Sequence, residues 1–141
     1  MQCASTEGAS YRHAEWGPAY LVQGPSSDIG VLMLRPGDAM ENHYHKYCDE
    51  SFVVLEGECA LWVRCTDTYT MRQGGVYRFE PGEMHYLINE SDAPFRLVFI
   101  KSPASPGDTH AVPWTPGRSV PRRPPDPRPR PATTTTGEKS G

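Results

Sequence analysis

The sequence predicts an all-β domain of the barrel or sandwich type. Short segments rich in valine, isoleucine, tyrosine and phenylalanine follow one another at even spacing, and glycine, proline, aspartate or asparagine residues separate them. No segment has the apolar periodicity of an amphipathic helix. Together these observations favour a structure made of strands and turns.

The segments predict nine strands. In chain order they are 19–23, 29–35, 41–45, 50–56, 59–64, 68–71, 76–79, 84–89 and 95–101. Gly57 lies between two apolar strands and predicts a tight hairpin, because glycine adopts positive φ without a Cβ penalty. Pro81 and Gly82 predict a similar turn before the eighth strand.

The length and composition predict one domain with a tail. A chain of 141 residues supports a single domain. Its apolar residues, 37% of the total, concentrate between residues 19 and 101. We assign 1–18 to an N-terminal arm and 19–117 to the barrel with a flanking C-terminal segment. Residues 118–141 are rich in proline, arginine and threonine and lack apolar periodicity, which predicts a disordered tail.

Charge divides at the same boundary. Residues 118–141 hold six basic and two acidic residues and therefore carry +4, so the remainder carries −7 of the total of −3. An acidic folded part argues against nucleic-acid binding by the domain. The basic tail could contact an anionic partner, although a solvated terminus is the simpler interpretation.

Cysteine spacing bears on zinc binding, and the apolar segments bear on cellular location. None of the cysteines at 3, 48, 59 and 65 forms a C-x2-C pair, which argues against a thiolate zinc site. The chain shows no leader pattern and no apolar run of membrane-spanning length, so we expect no membrane partner. A cytoplasmic protein with reduced thiols is the default expectation.

Four residues have the character of metal ligands. His43, His45 and Glu50 form an H-x-H-x4-E cluster, and His85 follows a second glycine turn. Imidazole nitrogens and a carboxylate are ligands that borderline divalent metals accept. Alternate residues of a strand share one face, so His43 and His45 can point toward the same site. An isolated histidine is usually a surface or packed residue, which is the expectation for His13 and His110.

These residues occur in two segments that resemble the cupin motifs. Residues 37–57 resemble the first motif, G-x5-H-x-H-x(3,4)-E-x6-G, and fill every fixed position. Residues 74–89 resemble the second motif, G-x5-P-x-G-x2-H-x3-N, although Glu80 stands where the family usually has proline. That departure changes a turn residue and no ligand. The sequence is therefore similar to small single-domain metal-binding cupins.

The resemblance implies a fold and a cofactor. The fold is a single-domain cupin double-stranded β-helix, or jelly-roll barrel, with a disordered C-terminal tail. The cofactor is one divalent metal ion per chain held by His43, His45, Glu50 and His85, with an open coordination position. Fe, Mn, Ni, Co, Cu and Zn all suit this set. Glu50 is the candidate catalytic residue, and a homodimer is expected because cupins frequently pair through sheet edges.

Three functional hypotheses follow. The first is a metal-dependent enzyme acting on a small organic molecule, as an isomerase, cyclase or dioxygenase in natural-product or sugar metabolism. The second is a non-catalytic ligand-binding or sensor cupin, which usually carries a helix-turn-helix segment that this sequence lacks. The third is a structural or storage cupin, which usually has a duplicated barrel. We favour the first hypothesis.

Strand alternation suggests which side chains accompany the ligands. Leu87 should share the face of His85, whereas Tyr86 should point away, and Phe52 should share the face of Glu50 as a pocket wall. Tyr47 and Glu83 also lie near the motif residues in sequence. Tyrosine and glutamate can act as general acids or bases, but structural roles are the more common use.

Overall fold

The structure is a computed structural model that describes residues 1–122 of the chain. Within this part there are ten strands and no helix, which confirms the predicted all-β class. The strands are β1 Gly17–Gln23, β2 Asp28–Leu34, β3 Ala39–Tyr44, β4 Asp49–Glu56, β5 Glu58–Val63, β6 Asp67–Arg72, β7 Val76–Phe79, β8 His85–Ile88, β9 Phe95–Ser102 and β10 His110–Ala111.

The strands form two antiparallel sheets of five strands each. The first sheet has the order β1-β2-β9-β4-β7, and the second has the order β10-β3-β8-β5-β6. Most consecutive strands therefore cross between the sheets, as they do from β2 to β3 and from β3 to β4. Motif residues that lie on β3, β4 and β8 are brought together in this way.

The main core lies between the two sheets. The first sheet contributes Leu32, Leu34, Phe52, Val54, Leu97 and Phe99, and the second contributes Leu61, Val63, Met71 and Leu87. Full burial of each such side chain contributes about 1.5–3 kcal/mol. These residues alternate along their strands with more exposed ones, which is the period-2 pattern expected of a sheet with one buried face.

A second apolar cluster covers the outer face of the second sheet. It contains Tyr44, Cys65, Met84, Tyr86 and Trp114. The Trp114 indole N–H donates to the carbonyl of Arg118 at 3.1 Å. The segment after β10 is therefore part of the packed domain.

The predicted strands agree with the observed ones to within two residues at each end. The first strand begins at Gly17, because Gly17 and Pro18 pair with β2 at an edge where proline is tolerated. The third strand ends at Tyr44, so His45 lies just beyond it. β10 was not predicted, because its two residues pair with β3 but have no apolar pattern of their own.

Gly17 and Pro18 of the predicted N-terminal arm belong to β1. Of the predicted tail, 118–122 are described, and 123–141 lie outside the described residues.

Candidate metal centre

Four predicted ligands converge between the sheets. His43 on β3 and His85 on β8 are direct cross-strand partners in the second sheet. Glu50 comes from β4 in the first sheet, and His45 follows the end of β3. One ligand atom from each of the four residues lies within 4.8 Å of the others. Four atoms at about 2.1 Å from a common ion would be separated by up to about 4.2 Å, so the cluster could hold a metal ion with small adjustments.

Backbone carbonyls orient all three imidazole rings. The Nδ1–H groups of His43, His45 and His85 donate to carbonyl oxygens at 2.6, 2.8 and 3.0 Å respectively. The acceptors are Glu41, Asp108 and Glu83. A carbonyl oxygen can only accept, so a ring proton lies on Nδ1 and Nε2 of each ring is directed into the cluster. This partner arrangement is typical of metal-bound histidines.

Two of the Nε2 atoms contact a carboxylate. Oε1 of Glu50 lies 3.2 Å from Nε2 of His45 and 3.0 Å from Nε2 of His85. Imidazole nitrogens and a carboxylate oxygen are ligands of divalent metals, so a cation bound in place of the ring protons at Nε2 would contact both kinds of group. The donor set of this buried cluster therefore fits a divalent metal ion.

The ionisation of the cluster agrees with this interpretation. Burial, followed by the charge of His85, lowers the pKa of His43 to about 3, so this ring is neutral at neutral pH. Burial would raise the pKa of Glu50, but its contacts with His45 and His85 outweigh burial and hold the pKa well below its ordinary value. The cluster thus contains a carboxylate and a neutral imidazole in the protonation states that metal binding requires.

Aromatic packing fixes the ring of His85. The ring of Phe79 stacks on it with centroids 4.2 Å apart and an interplanar angle of 13°. Phe52 meets the same ring edge-on at 6.0 Å. His85 is fully buried, so its orientation is determined by packing as well as by its hydrogen bond.

Asp108 organises the loop that joins His45 to Glu50. Its carboxylate accepts hydrogen bonds from the backbone amides of Lys46, Tyr47 and Cys48 at 2.9, 2.8 and 3.2 Å. Its carbonyl accepts the hydrogen bond from His45 Nδ1. Burial would raise the pKa of Asp108, but the amide hydrogen bonds outweigh burial and lower it. Sequence analysis missed this residue, which lies about 60 positions from the loop it anchors and in no motif.

A cavity of about 120 Å³ opens beside the cluster. His43 and Glu50 contribute to its wall, together with apolar side chains. The apolar members are Pro18, Leu32, Met40, Phe52, Leu87, Phe99 and Ala111. The predicted positions of Phe52 and Leu87 on the ligand face are confirmed.

Lys101 and Tyr20 also line this cavity, and the sequence analysis did not single them out. Nζ of Lys101 donates to the hydroxyl of Tyr20 at 2.7 Å and lies 3.9 Å from Oε2 of Glu50. Burial would lower the pKa of Lys101, but the negative charge of Glu50 and the hydrogen bond to Tyr20 raise it. The lysine is therefore a cation next to the candidate metal centre.

The other candidate acid–base residues do not line the cavity. Tyr86 faces the second cluster, with its ring 5.9 Å from Trp114, which confirms its predicted direction. Glu83 pairs with Arg64 at 2.8 Å. Tyr47 is 44% exposed on the outside of the loop.

Cys48 lies in the loop between His45 and Glu50, and His13 and His110 lie outside the four-residue cluster. Burial, followed by the charge of Asp108, raises the pKa of Cys48 to about 12, so this thiol stays protonated. His110 lies 3.3 Å from an Asp108 carboxylate oxygen, and His13 stacks on Trp16. His13 is exposed and His110 is partly buried, which agrees with the surface or packed positions expected of histidines outside the motifs.

Comparison with protein families identifies the class of the chain. The family model described as "Cupin domain" matches residues 30–101, just over half of the sequence. The chain therefore belongs to the cupin domain family.

Two of three curated relatives are named for polyketide synthases. The chain is 29% identical over 98 residues to the tetracenomycin polyketide synthase protein TcmJ of Streptomyces glaucescens, covering 65% of each protein. It is 29% identical over 85 residues to the polyketide synthase CurC of Streptomyces cyaneus, covering 60% of this chain and 54% of that one. It is 33% identical over 82 residues to the protein SchB of Streptomyces halstedii, covering 57% of this chain and 58% of that one. The matches therefore span 54–65% of these relatives.

Solved structures share the fold. A Klebsiella pneumoniae protein with a double-stranded β-helix domain has a TM-score of 0.65 at 21% identity, covering 72% of this chain and 90% of that one. The TT1209 protein of Thermus thermophilus has a TM-score of 0.62 at 24% identity, covering 73% and 98%. The predicted cupin double-stranded β-helix is thus confirmed.

No helix among the described residues is long and apolar enough to cross a membrane.

Proposed function

We propose that this chain is a metal-dependent cupin enzyme that acts on a small organic molecule. In this proposal His43, His45, Glu50 and His85 bind one divalent ion at the edge of the apolar cavity. The observation that carries the proposal is the orientation of the three rings. Each has its Nδ1 held by a backbone carbonyl, which directs its Nε2 toward the centre. A closed structural role would not require a cavity next to these atoms.

The substrate class follows from the cavity and the relatives. Apolar and aromatic walls with a few polar groups are the usual composition of a small-molecule pocket. Relatives named for polyketide biosynthesis support an aromatic or poly-carbonyl substrate, so we favour a cyclase-type reaction over the isomerase and dioxygenase types. A divalent ion bound by these residues would supply Lewis-acid polarisation of a substrate oxygen.

The protein residues orient the substrate and move a proton. Phe52, Leu87 and Phe99 exclude water from one side of the cavity, which strengthens electrostatic interactions inside it. Glu50 is ionised, and its Oε2 does not contact the histidines. We assign Oε2 as the acceptor for a proton that leaves a carbon next to a substrate carbonyl.

Metal analysis of the purified protein tests the site. Wild type should contain close to one equivalent of a divalent metal, and His45→Ala should lose most of it. His13→Ala is the matched control, because His13 stacks on Trp16 outside the cluster and should leave the metal content unchanged. Full occupancy in His45→Ala would contradict the ligand assignment.

Turnover of candidate substrates tests the enzymatic role. Poly-β-ketone and phenolic carbonyl compounds would be incubated with metal-bound and chelator-treated protein, with oxygen uptake measured in parallel. Metal-dependent product formation without oxygen uptake would support a cyclase or isomerase. Binding of these compounds without turnover would favour the non-catalytic ligand-binding alternative.

A further inference from the structure

We propose that Lys101 and Tyr20 form an anion-binding subsite that holds a carboxylate or enolate oxygen of the ligand beside the candidate metal centre. The proposal deepens the proposed function, because the subsite lies in the same cavity. It adds a substrate class, namely small molecules with an anionic oxygen on an apolar or aromatic body.

The position of Lys101 is unusual for a lysine. Every second residue of β9 faces inward, and Lys101 continues the series Phe95, Leu97 and Phe99. Lys101 is also the cross-strand partner of Glu50 on β4. Its side chain is only 13% exposed. A charged group in such a position costs free energy unless it is paired or used, and lysine is rarely buried to this extent.

Hydrogen-bond polarity leaves two donors for a ligand. A lysine ammonium has three N–H donors and no acceptor, so the Tyr20 oxygen must accept in the 2.7 Å contact between them. The Tyr20 hydroxyl proton therefore points away from Lys101. Among the described residues, Tyr20 is the hydrogen-bond partner of the Lys101 ammonium, so further N–H groups are also available. Two adjacent donors match the two oxygens of a carboxylate.

Glu50 pairs with Lys101 by charge but does not occupy its N–H donors. Its Oε2 lies 3.9 Å from Nζ, within ion-pair range but beyond hydrogen-bond range. The rings of Tyr20 and Phe99 hold the ammonium from the other sides, with centroids at 5.2 and 5.5 Å. With a divalent ion bound by the cluster, the combined positive charge of the ion and Lys101 would exceed the negative charge of Glu50. An anionic ligand would balance the difference.

The surrounding surface defines the rest of the ligand. On one side of Lys101 lies the apolar cavity with Leu32, Phe52 and Leu87. On the other side lies a cavity of about 470 Å³ that shares Tyr20, Lys101 and Thr109 with it and is lined elsewhere by more polar residues. A ligand anchored at Lys101 can therefore place an apolar ring in the smaller cavity and extend a polar part into the larger one.

The test uses benzoate as the anionic probe and benzyl alcohol as a neutral probe of similar shape. Both are titrated into the ¹⁵N-labelled full-length protein, zinc-bound and chelator-treated, and dissociation constants are read from amide chemical shifts. Wild type should prefer benzoate. Lys101→Met should weaken benzoate binding by about tenfold, since a hydrogen bond to a charged group is lost, and should leave benzyl alcohol unchanged. Tyr20→Phe should weaken benzoate by about threefold.

Controls separate this proposal from the proposed function. Arg72→Met removes one positive charge from β6, outside the cavity, and should bind benzoate as wild type does. Lys101→Arg keeps the charge and should retain most of the affinity, and the same spectra show whether each variant is folded. Metal content is measured in every sample. Wild type that binds no metal but still prefers benzoate would refute the proposed function and not the subsite. The subsite would be refuted if wild type did not prefer benzoate. It would also be refuted if folded Lys101→Met or Tyr20→Phe kept the wild-type affinity for benzoate.

Discussion

Oε1 of Glu50 lies 3.0 Å from Nε2 of His85, although the two residues belong to different sheets and are 35 positions apart in sequence. The contact forms because β4 and β8 face each other across the core near the open cavity. It places the only carboxylate of the four-residue cluster at the centre of its histidines. The chemistry of the site therefore depends on the negative charge of Glu50.

Replacing Glu50 by glutamine should separate the effect of side-chain volume on metal binding from the effect of its negative charge. The amide keeps the volume but cannot neutralise a cation, so metal affinity should fall by more than the roughly 10–100-fold that loss of an outer partner costs. Any turnover should fall with it, because Oε2 no longer accepts a proton. Competition titration with a chelator measures the affinity. Glu58→Gln, at an exposed carboxylate paired with Arg72, is the control and should bind metal normally.

Asp108→Asn should weaken both the loop and the metal site. The asparagine amide presents N–H donors where the loop offers its own N–H groups, so one or more hydrogen bonds would be lost. We expect unfolding free energy to fall by about 1–3 kcal/mol and metal affinity by about tenfold. Chemical denaturation and metal titration measure these effects. Asp92→Asn, at an exposed position, should change neither, and wild-type values for Asp108→Asn would contradict the anchoring role.

The contribution of Asp108 should also depend on pH. Its pKa in the folded protein is lower than the ordinary value of 3.8, so its stabilising effect is fully present above that value. The effect should disappear as pH falls through the lowered pKa, because the protonated carboxyl no longer accepts all three hydrogen bonds. Denaturation of metal-free wild type and Asp108→Asn at pH 6 and near pH 2.5 should show a stability difference that shrinks in acid. A difference that grew on acidification would reverse the assigned sign.

Gly57→Ala should be more destabilising than Gly74→Ala. Both glycines have positive φ, at 78° and 84°, so both variants carry the left-handed penalty of about 1–2 kcal/mol. A Cβ at Gly57 would also run into the backbone carbonyl of Pro94, whereas a Cβ at Gly74 meets nothing. Thermal and chemical denaturation of the two variants therefore isolates the steric cost. Equal destabilisation would mean that the Pro94 segment moves aside without cost.

Truncation after Arg122 should leave the melting temperature nearly unchanged, because residues 123–141 lack the apolar content needed for a core. Truncation after Gly117 also removes the Arg118 carbonyl that accepts from the buried Trp114 indole. Loss of that hydrogen bond, worth about 1 kcal/mol, should lower the melting temperature by about 4 °C. Scanning calorimetry of the two truncations tests the boundary. A large drop for the first truncation would show that residues 123–141 stabilise the domain.

The sequence by itself determined nine of the ten strands in the described part and the identity of the four clustered side chains. Strand positions follow from alternation and from glycine turns, which are local properties. His43, His45 and Glu50 lie within eight consecutive residues, so a short-range pattern was sufficient to group them. That His85 joins them was implied by the resemblance of its segment to the second cupin motif.

Only the tertiary structure decided which residues surround that cluster. Lys101 comes from β9, Tyr20 from β1 and Asp108 from the loop before β10, and each contacts residues about 50 to 80 positions away. Lysine, tyrosine and aspartate occur throughout protein surfaces, so no local spacing distinguishes them. Their roles arise from strand order and register, which place Lys101 opposite Glu50 and bring Asp108 under the loop after His45. Long-range pairing of this kind is a property of the folded chain, because it depends on the simultaneous burial of both sheets.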